Sequence, residues 1–205
     1  MTQEPAPGPV HGSAPALSGS GAQLRYGAPW AAAPQDRDAL RRARGRMPAS
    51  VTVWLAPGDE APGPGPLGLY RAGMGTVGLT VSSLVVSPGE PGHLAGVVNP
   101  TTDLGDLFAS GAATAFTVHI LDQGQRALAR HFAGDVPAPQ AALRVETGAA
   151  GPALAGVGDR IYCRNATCHP FGWSLLVEAE VQAVELGERR NALAWLSGAF
   201  VDLGG

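Results

Sequence analysis

The chain has 205 residues, enough for one domain with a sizeable core plus an extension. Its formal net charge of −3 argues against a binder that gains affinity by neutralising nucleic-acid phosphates. Two cysteines make no disulfide framework, and no segment runs apolar for the ~18 residues that a membrane span needs.

Residues 1–35 are dominated by Pro, Ala, Gly and Ser without apolar periodicity. Such a composition cannot bury enough surface to offset its ordering entropy, so a disordered extension is expected. It has neither a basic start nor a continuous apolar stretch and does not read as a signal peptide. A soluble, cytoplasmic protein is expected, with its folded domain over 36–205. That domain opens with a helix at 36–45, with Asp36 as N-cap and Leu40 and Ala43 on one face. Met47-Pro48 ends it, since proline disfavours helical geometry in the residue before it. Arg37, Arg41, Arg42, Arg44 and Arg46 read as its solvated face. A strand at 50–56, a Pro/Gly-rich loop at 57–68 and a short strand at 69–71 follow.

The glycines of Gly73-x-Gly75-x-x-Gly78 have the spacing of a dinucleotide-binding fingerprint. That motif needs a helix after it, whose N-terminus holds the pyrophosphate. Here Thr80, Val81, Val85 and Val86 follow, and β-branched residues at this density favour a strand, expected over 78–87. The Rossmann reading fails on that context. A turn at 88–92 and a strand at 93–98 come next. Residues 101–110 read as a short helix, with Leu104, Leu107 and Phe108 at i, i+3 and i+4. A strand at 112–121 and a second short helix at 123–132 follow. The Pro/Ala/Gly-rich stretch 134–158 reads as a long loop with a short helix. Strands at 160–164, 173–186 and 192–202 complete the chain. Six or more strands with short helices between them, and no βαβ alternation, indicate a mainly β fold: a closed antiparallel barrel of Greek-key type. Cys163, Cys168 and His169 lack a fourth ligand and match no zinc spacing, so no metal site is expected.

Four motifs in order resemble the flavin reductase-like FMN-binding split-barrel family. Gly78-Leu-Thr80-Val81-Ser82-Ser83 is similar to that family's Gly-Met-Thr-Ala-Ser-Ser, and Ala127 to Gly134 to the end of its second helix. Met47 to Val53 resembles the opening strand, and Ala192 to Phe200 the closing one. The resemblance covers roughly 37–202 and implies a split β-barrel, an NAD(P)H:FMN reductase activity with FAD as the other flavin, and a possible monooxygenase partner. It also implies a homodimer with flavin at the interface. Its cofactor-binding candidates are Thr80, Val81, Ser82 and Ser83 at a strand end, and Asn99, Thr101 and Thr102 at a helix start. Hydroxyls and consecutive N–H groups are the donors a flavin phosphate and ring require. Gly78 is expected to let the backbone approach the ligand closely.

Two departures are informative. Asp103 follows the threonines, and a carboxylate ~4 Å from a phosphate costs roughly 1 to 4 kcal/mol unless it turns away as an ordinary helix-start acid. Gly172-Trp173-Ser174 stands where many such reductases carry Gly-Asp-His, so the histidine expected near flavin and nicotinamide is missing. Hydride transfer remains the cofactors' own chemistry, and no protein nucleophile or acid–base pair is required. The alternative is a repurposed barrel that binds flavin, or another cofactor such as haem, without reductase turnover.

Overall fold

The computed structural model describes residues 39–58, 71–72, 75–135, 143–188 and 191–203. Helix α1 (Ala39–Gly45) has no buried residue and precedes strands β1 (Ala49–Ser50) and β2 (Thr52–Pro57). The expected start of α1 at 36–38, most of the 57–68 loop, and Gly73 lie outside the described residues. Strand β3 (Arg71–Ala72) pairs with β4 (Thr76–Val81), and Gly75 turns between them at φ 64°. A strand therefore follows the glycines, as the β-branched residues required.

The single strand expected over 78–87 is broken. It ends at Val81, and the chain resumes as β5 (Val85–Ser87), which pairs with β6 (His93–Val98) across the 88–92 turn. At the break the Ser83 hydroxyl donates to Val97 O at 3.0 Å and accepts from Val97 N at 2.8 Å. A serine side chain thus does the work of a backbone ladder partner, which is how the chain leaves strand geometry without stranding buried polar groups.

Helix α2 (Asp103–Ala109) and strand β7 (Phe116–Ile120) come next. The strand starts four residues later than expected because Ala113 N bonds back to Leu107 O and holds this stretch against α2. A 3-10 turn at Gln123–Gln125 leads into α3 (Arg126–Phe132). The stretch expected to be loop with a short helix instead holds a hairpin, β8 (Val145–Thr147) and β9 (Pro152–Leu154). Its Ala153 and Leu154 are fully buried, so packing overrides a composition poor in strand formers. Strands β10 (Arg160–Phe171) and β11 (Ser174–Glu185) form a long hairpin, β10 running well past its expected end at 164. Register shifts at Tyr162/Cys163 and Arg164/Thr167 bend it, the second at Asn165 with φ 51°. The expected last strand is a hairpin, β12 (Leu193–Leu196) and β13 (Ala199–Asp202), turned by Ser197 and Gly198 at φ 53° and 86°.

The principal sheet has eight antiparallel strands in the order β3-β4-β2-β7-β10-β11-β6-β5, beside a three-stranded sheet β1-β12-β13. Among the described residues the fold is mainly β, as expected, with three short α-helices. Among the described residues no strand ladder joins β4 to β6, so the closed barrel does not follow from strand pairing. No described helix is long and apolar enough to cross a membrane.

Strand β2 is buried on both faces. One face gives Trp54 and Ala56 to a core with Val81, Leu94, Phe108, Phe116 and Val177. Trp54 stacks on Phe116 at 4.8 Å, and a Cβ on Gly96 would lie 2.7 Å from its indole. The other face gives Val53 and Leu55, with Val51 just before the strand, to a second core with Leu128, Phe132, Leu154 and Leu193.

Candidate functional site

Register brings three segments to one end of the sheet. Ser83 bonds to Val97 of β6, and Leu175, just past the β10–β11 turn, pairs with Val98. The Ser82–Ser83–Leu84 break, the loop from Asn99 to Thr102 and the hairpin tip at Gly172 and Trp173 therefore adjoin. The first two segments carry five of the seven cofactor-binding candidates, with Thr80 and Val81 at the adjoining end of β4.

The strand-end residues do not act alike. Thr80 donates to Ala129 O of α3 at 2.7 Å, while Val81 is buried in the first core. Ser82 is half-buried, and the Ser83 hydroxyl is engaged with Val97. Gly78 has a role other than the expected one. A Cβ there would lie 2.5 Å from the Phe132 ring, so this glycine admits a side chain of α3. The face that carries Gly78 and Thr80 is thus the helix-covered face.

The loop before α2 is ordered by its own side chains. Asn99 Oδ1 accepts from Thr101 N at 3.0 Å and from the Thr101 hydroxyl at 2.9 Å. Thr102 is the N-cap of α2: its hydroxyl donates to Asn99 O at 2.8 Å and accepts from Gly105 N at 3.1 Å. Both hydroxyl protons are turned into the loop, and exposed Thr101 is the better placed to rotate toward a ligand. Asp103 and Asp106 occupy the first turn of α2. Burial, and then the neighbouring Asp103 carboxylate, raise the pKa of Asp106. This acidity complements the helix dipole and opposes a phosphate, so the anion-favouring character of the helix start is weakened.

At the hairpin tip Trp173 is exposed, with the Arg41 guanidinium 5.8 Å from its ring centroid. His169 lies back along β10, its Nδ1 3.9 Å from Glu178 Oε2. Cys163 is buried, which pushes its pKa up to about 12, and Cys168 donates to Phe108 O at 3.2 Å. Among the described residues no three metal-ligating side chains converge.

Sequence reasoning passed over His119, which is fully buried on β7. Its Nδ1 lies 3.1 Å from Val53 O and its Nε2 accepts from Leu154 N at 2.9 Å. It is a positioning residue, joining β2 to β9; the only sequence signal was a polar residue inside an apolar strand. Arg160 was missed too. It donates to Leu154 O at 2.9 Å and Val157 O at 2.7 Å, and pairs with Glu146 and Glu185.

The chain is similar to known proteins in sequence and fold. The reductase component of a 4-hydroxyphenylacetate 3-monooxygenase from Thermus thermophilus is 29% identical over 164 residues, 80% of this chain and 95% of the relative. The solved flavin reductase PheA2 superposes with a TM-score of 0.66 at 20% identity, covering 81% of this chain and 97% of its own. The NADH:FAD oxidoreductase SgcE6 of Streptomyces globisporus gives 0.65 at 24% identity, covering 84% and 96%. These structures share the fold. The profile of the flavin reductase like domain matches residues 44–204. The chain belongs to the flavin reductase like domain family.

Proposed function

We propose that this chain transfers hydride from NAD(P)H to FMN or FAD and supplies reduced flavin to a monooxygenase partner in the cytoplasm. Family membership over most of the chain, with the Ser82–Leu84 break and the Asn99–Thr102 loop adjoining, carries the reading. The related reductase component and the styrene monooxygenase flavin reductase of Pseudomonas putida, at TM-score 0.64, support the partner. The residues fit a flavin: neutral hydroxyl and amide donors suit its phosphate and ring edge, and no side chain of reactive character is demanded.

Bound flavin would supply the redox chemistry by accepting the hydride. Ser82 and the backbone of Val81 to Ser83 would hold and orient it, and Thr101 would meet its phosphate. Thr80 and Ser83 fix the frame, through Ala129 and Val97. With Ser83 bridging β4 to β6, the reading includes closure of the sheet as a split barrel. It also includes a homodimer with flavin between the barrels, and light scattering that returns a monomer at micromolar concentration would remove that part.

Ser174, standing where related reductases carry histidine, favours a second reading, flavin binding without turnover. Oxidation of NAD(P)H that depends on added flavin separates the two, and a chain that binds FMN but oxidises no nicotinamide sinks the first. Ser82→Ala is expected to weaken FMN binding by about 0.5 to 3 kcal/mol for its lost hydrogen bond, whereas Thr80→Ala, whose lost bond is to Ala129 O, acts through the frame and lowers stability by about 0.5 to 1.5 kcal/mol. Gly75→Ala leaves affinity nearly unchanged wherever the fold survives. The reverse pattern would place the ligand at the glycine turn.

A further inference from the structure

We infer that Trp173 and Arg41 form a subsite for an adenosine phosphate, the part common to FAD and the nicotinamide dinucleotide. The inference rests on the flavin reductase reading for its biological use, though not for its test.

The fold itself does not ask for an indole at this position. Gly172 has φ +60° and Trp173 follows it between paired Phe171 and Ser174. A two-residue hairpin turn with positive φ at its first position needs glycine there and accepts small polar residues at the second. Trp173 is instead 72% exposed, adding nothing to either core. Leaving so large an apolar ring in water is unfavourable, and the Arg41 guanidinium lies over its face.

The position of the ring is specific. Leu175, two residues on, pairs with Val98, and Asn99 begins the loop beside the Ser82–Ser83 break. A ligand whose flavin or nicotinamide end lies at that break therefore extends toward the hairpin tip. An exposed indole offers a face on which adenine stacks, and a guanidinium can both stack on a base and grip a phosphate. Arg41 lies near the ring, α1 adds exposed Arg42 and Arg44, and exposed Arg46 follows directly after it. Among the described residues none of these last three pairs with a carboxylate. In a chain of net charge −3 this is a local cationic surface at the place where the phosphates of a dinucleotide would emerge.

The test uses the full chain and 5′-AMP as probe, read by isothermal titration calorimetry without turnover. AMP is expected to bind the wild type, and adenosine to bind more weakly for want of the phosphate. Trp173→Ala and Arg41→Ala should each weaken AMP about tenfold, while Trp173→Phe retains most of the affinity by keeping a stacking face. Trp173 is exposed and Arg41 half-buried, and Arg41→Lys serves as a second variant that keeps charge without the planar fork. The source of the adenosine is then separable. If it is FAD, the alanine variants lose affinity for FAD and keep it for FMN. If it is the dinucleotide, its KM with FMN as flavin rises more than kcat falls. The proposal is overturned if AMP does not bind, if the variants bind AMP like the wild type, or if FMN and AMP weaken alike. AMP binding in a chain that reduces no flavin would keep the subsite and sink the reductase reading.

Discussion

Gly105→Ala is expected to lower the melting temperature by about 4–8 °C, the size of shift that a net loss of about 2 kcal/mol gives a domain of this length. Two effects of opposite sign compete. Helix propensity alone would favour alanine over glycine inside α2 by about 1 kcal/mol. The added Cβ, however, would lie 2.2 Å from Asn99 O and 3.0 Å from Pro100 Cα. Both neighbours are backbone and cannot rotate away, and overpacking of this kind costs about 1–3 kcal/mol. Displacing the loop also breaks the Thr102 cap at Gly105 N, which costs about 1 kcal/mol more. Sterics and cap together exceed propensity. Flavin affinity should fall with stability, because Asn99, Thr101 and Thr102 move as one loop. A melting temperature that stays level or rises would show that the loop yields freely and that propensity decides.

The second large effect belongs to His119. Burial lowers its pKa to about 4, against an ordinary value of 6.5. The unfolded chain takes up this proton below about pH 6.5, the folded chain only below about pH 4. Between those values the unfolded state binds more proton, so stability is fully present above the window and declines as acid is added through it. The loss attributable to this one ring is about 3 kcal/mol by pH 4, and it levels off below that. His119→Gln can keep a donor for Val53 O and an acceptor for Leu154 N without titrating there, and should flatten this part of the profile. His119→Leu leaves Leu154 N without its partner and should cost about 1–3 kcal/mol at any pH, while Val53 O keeps its place in the strand ladder. Urea unfolding of the wild type and both variants at pH 7 and pH 4.5 would check this. Equal acid sensitivity in the wild type and the Gln variant would mean that other groups dominate the titration.

Much of the fold was legible because local chemistry and tertiary need agreed. The strand at 93–98 and the helix with Leu104, Leu107 and Phe108 carry clear periodicities, and each stands where expected. Four motifs in order sufficed for the family, which the match over 44–204 bears out. What stayed hidden depends on distant partners. The hairpin at 145–154 has weak strand composition and exists because Leu154 is buried beside His119. The break after Val81 needed Val97, fourteen residues on, to take the Ser83 hydroxyl. Gly78 was legible as a close-approach glycine but not as to what approaches, since Phe132 is far along the chain. The adjacency of Trp173 to the Asn99 loop depends on strand register, which neither segment encodes alone.

Strand β2 presents one face to each of the two cores. A wall with a filled room on either side cannot lose one filling and still support the other. Trp54 and Leu55 are neighbours on the same backbone, so loosening the aromatic interior releases the backing of α3, and the converse also holds. Damage that begins at the Asn99 loop and damage that begins beneath Leu154 therefore converge on the same event. Neither core of the described domain is expected to melt ahead of the other, so unfolding should be a single cooperative transition.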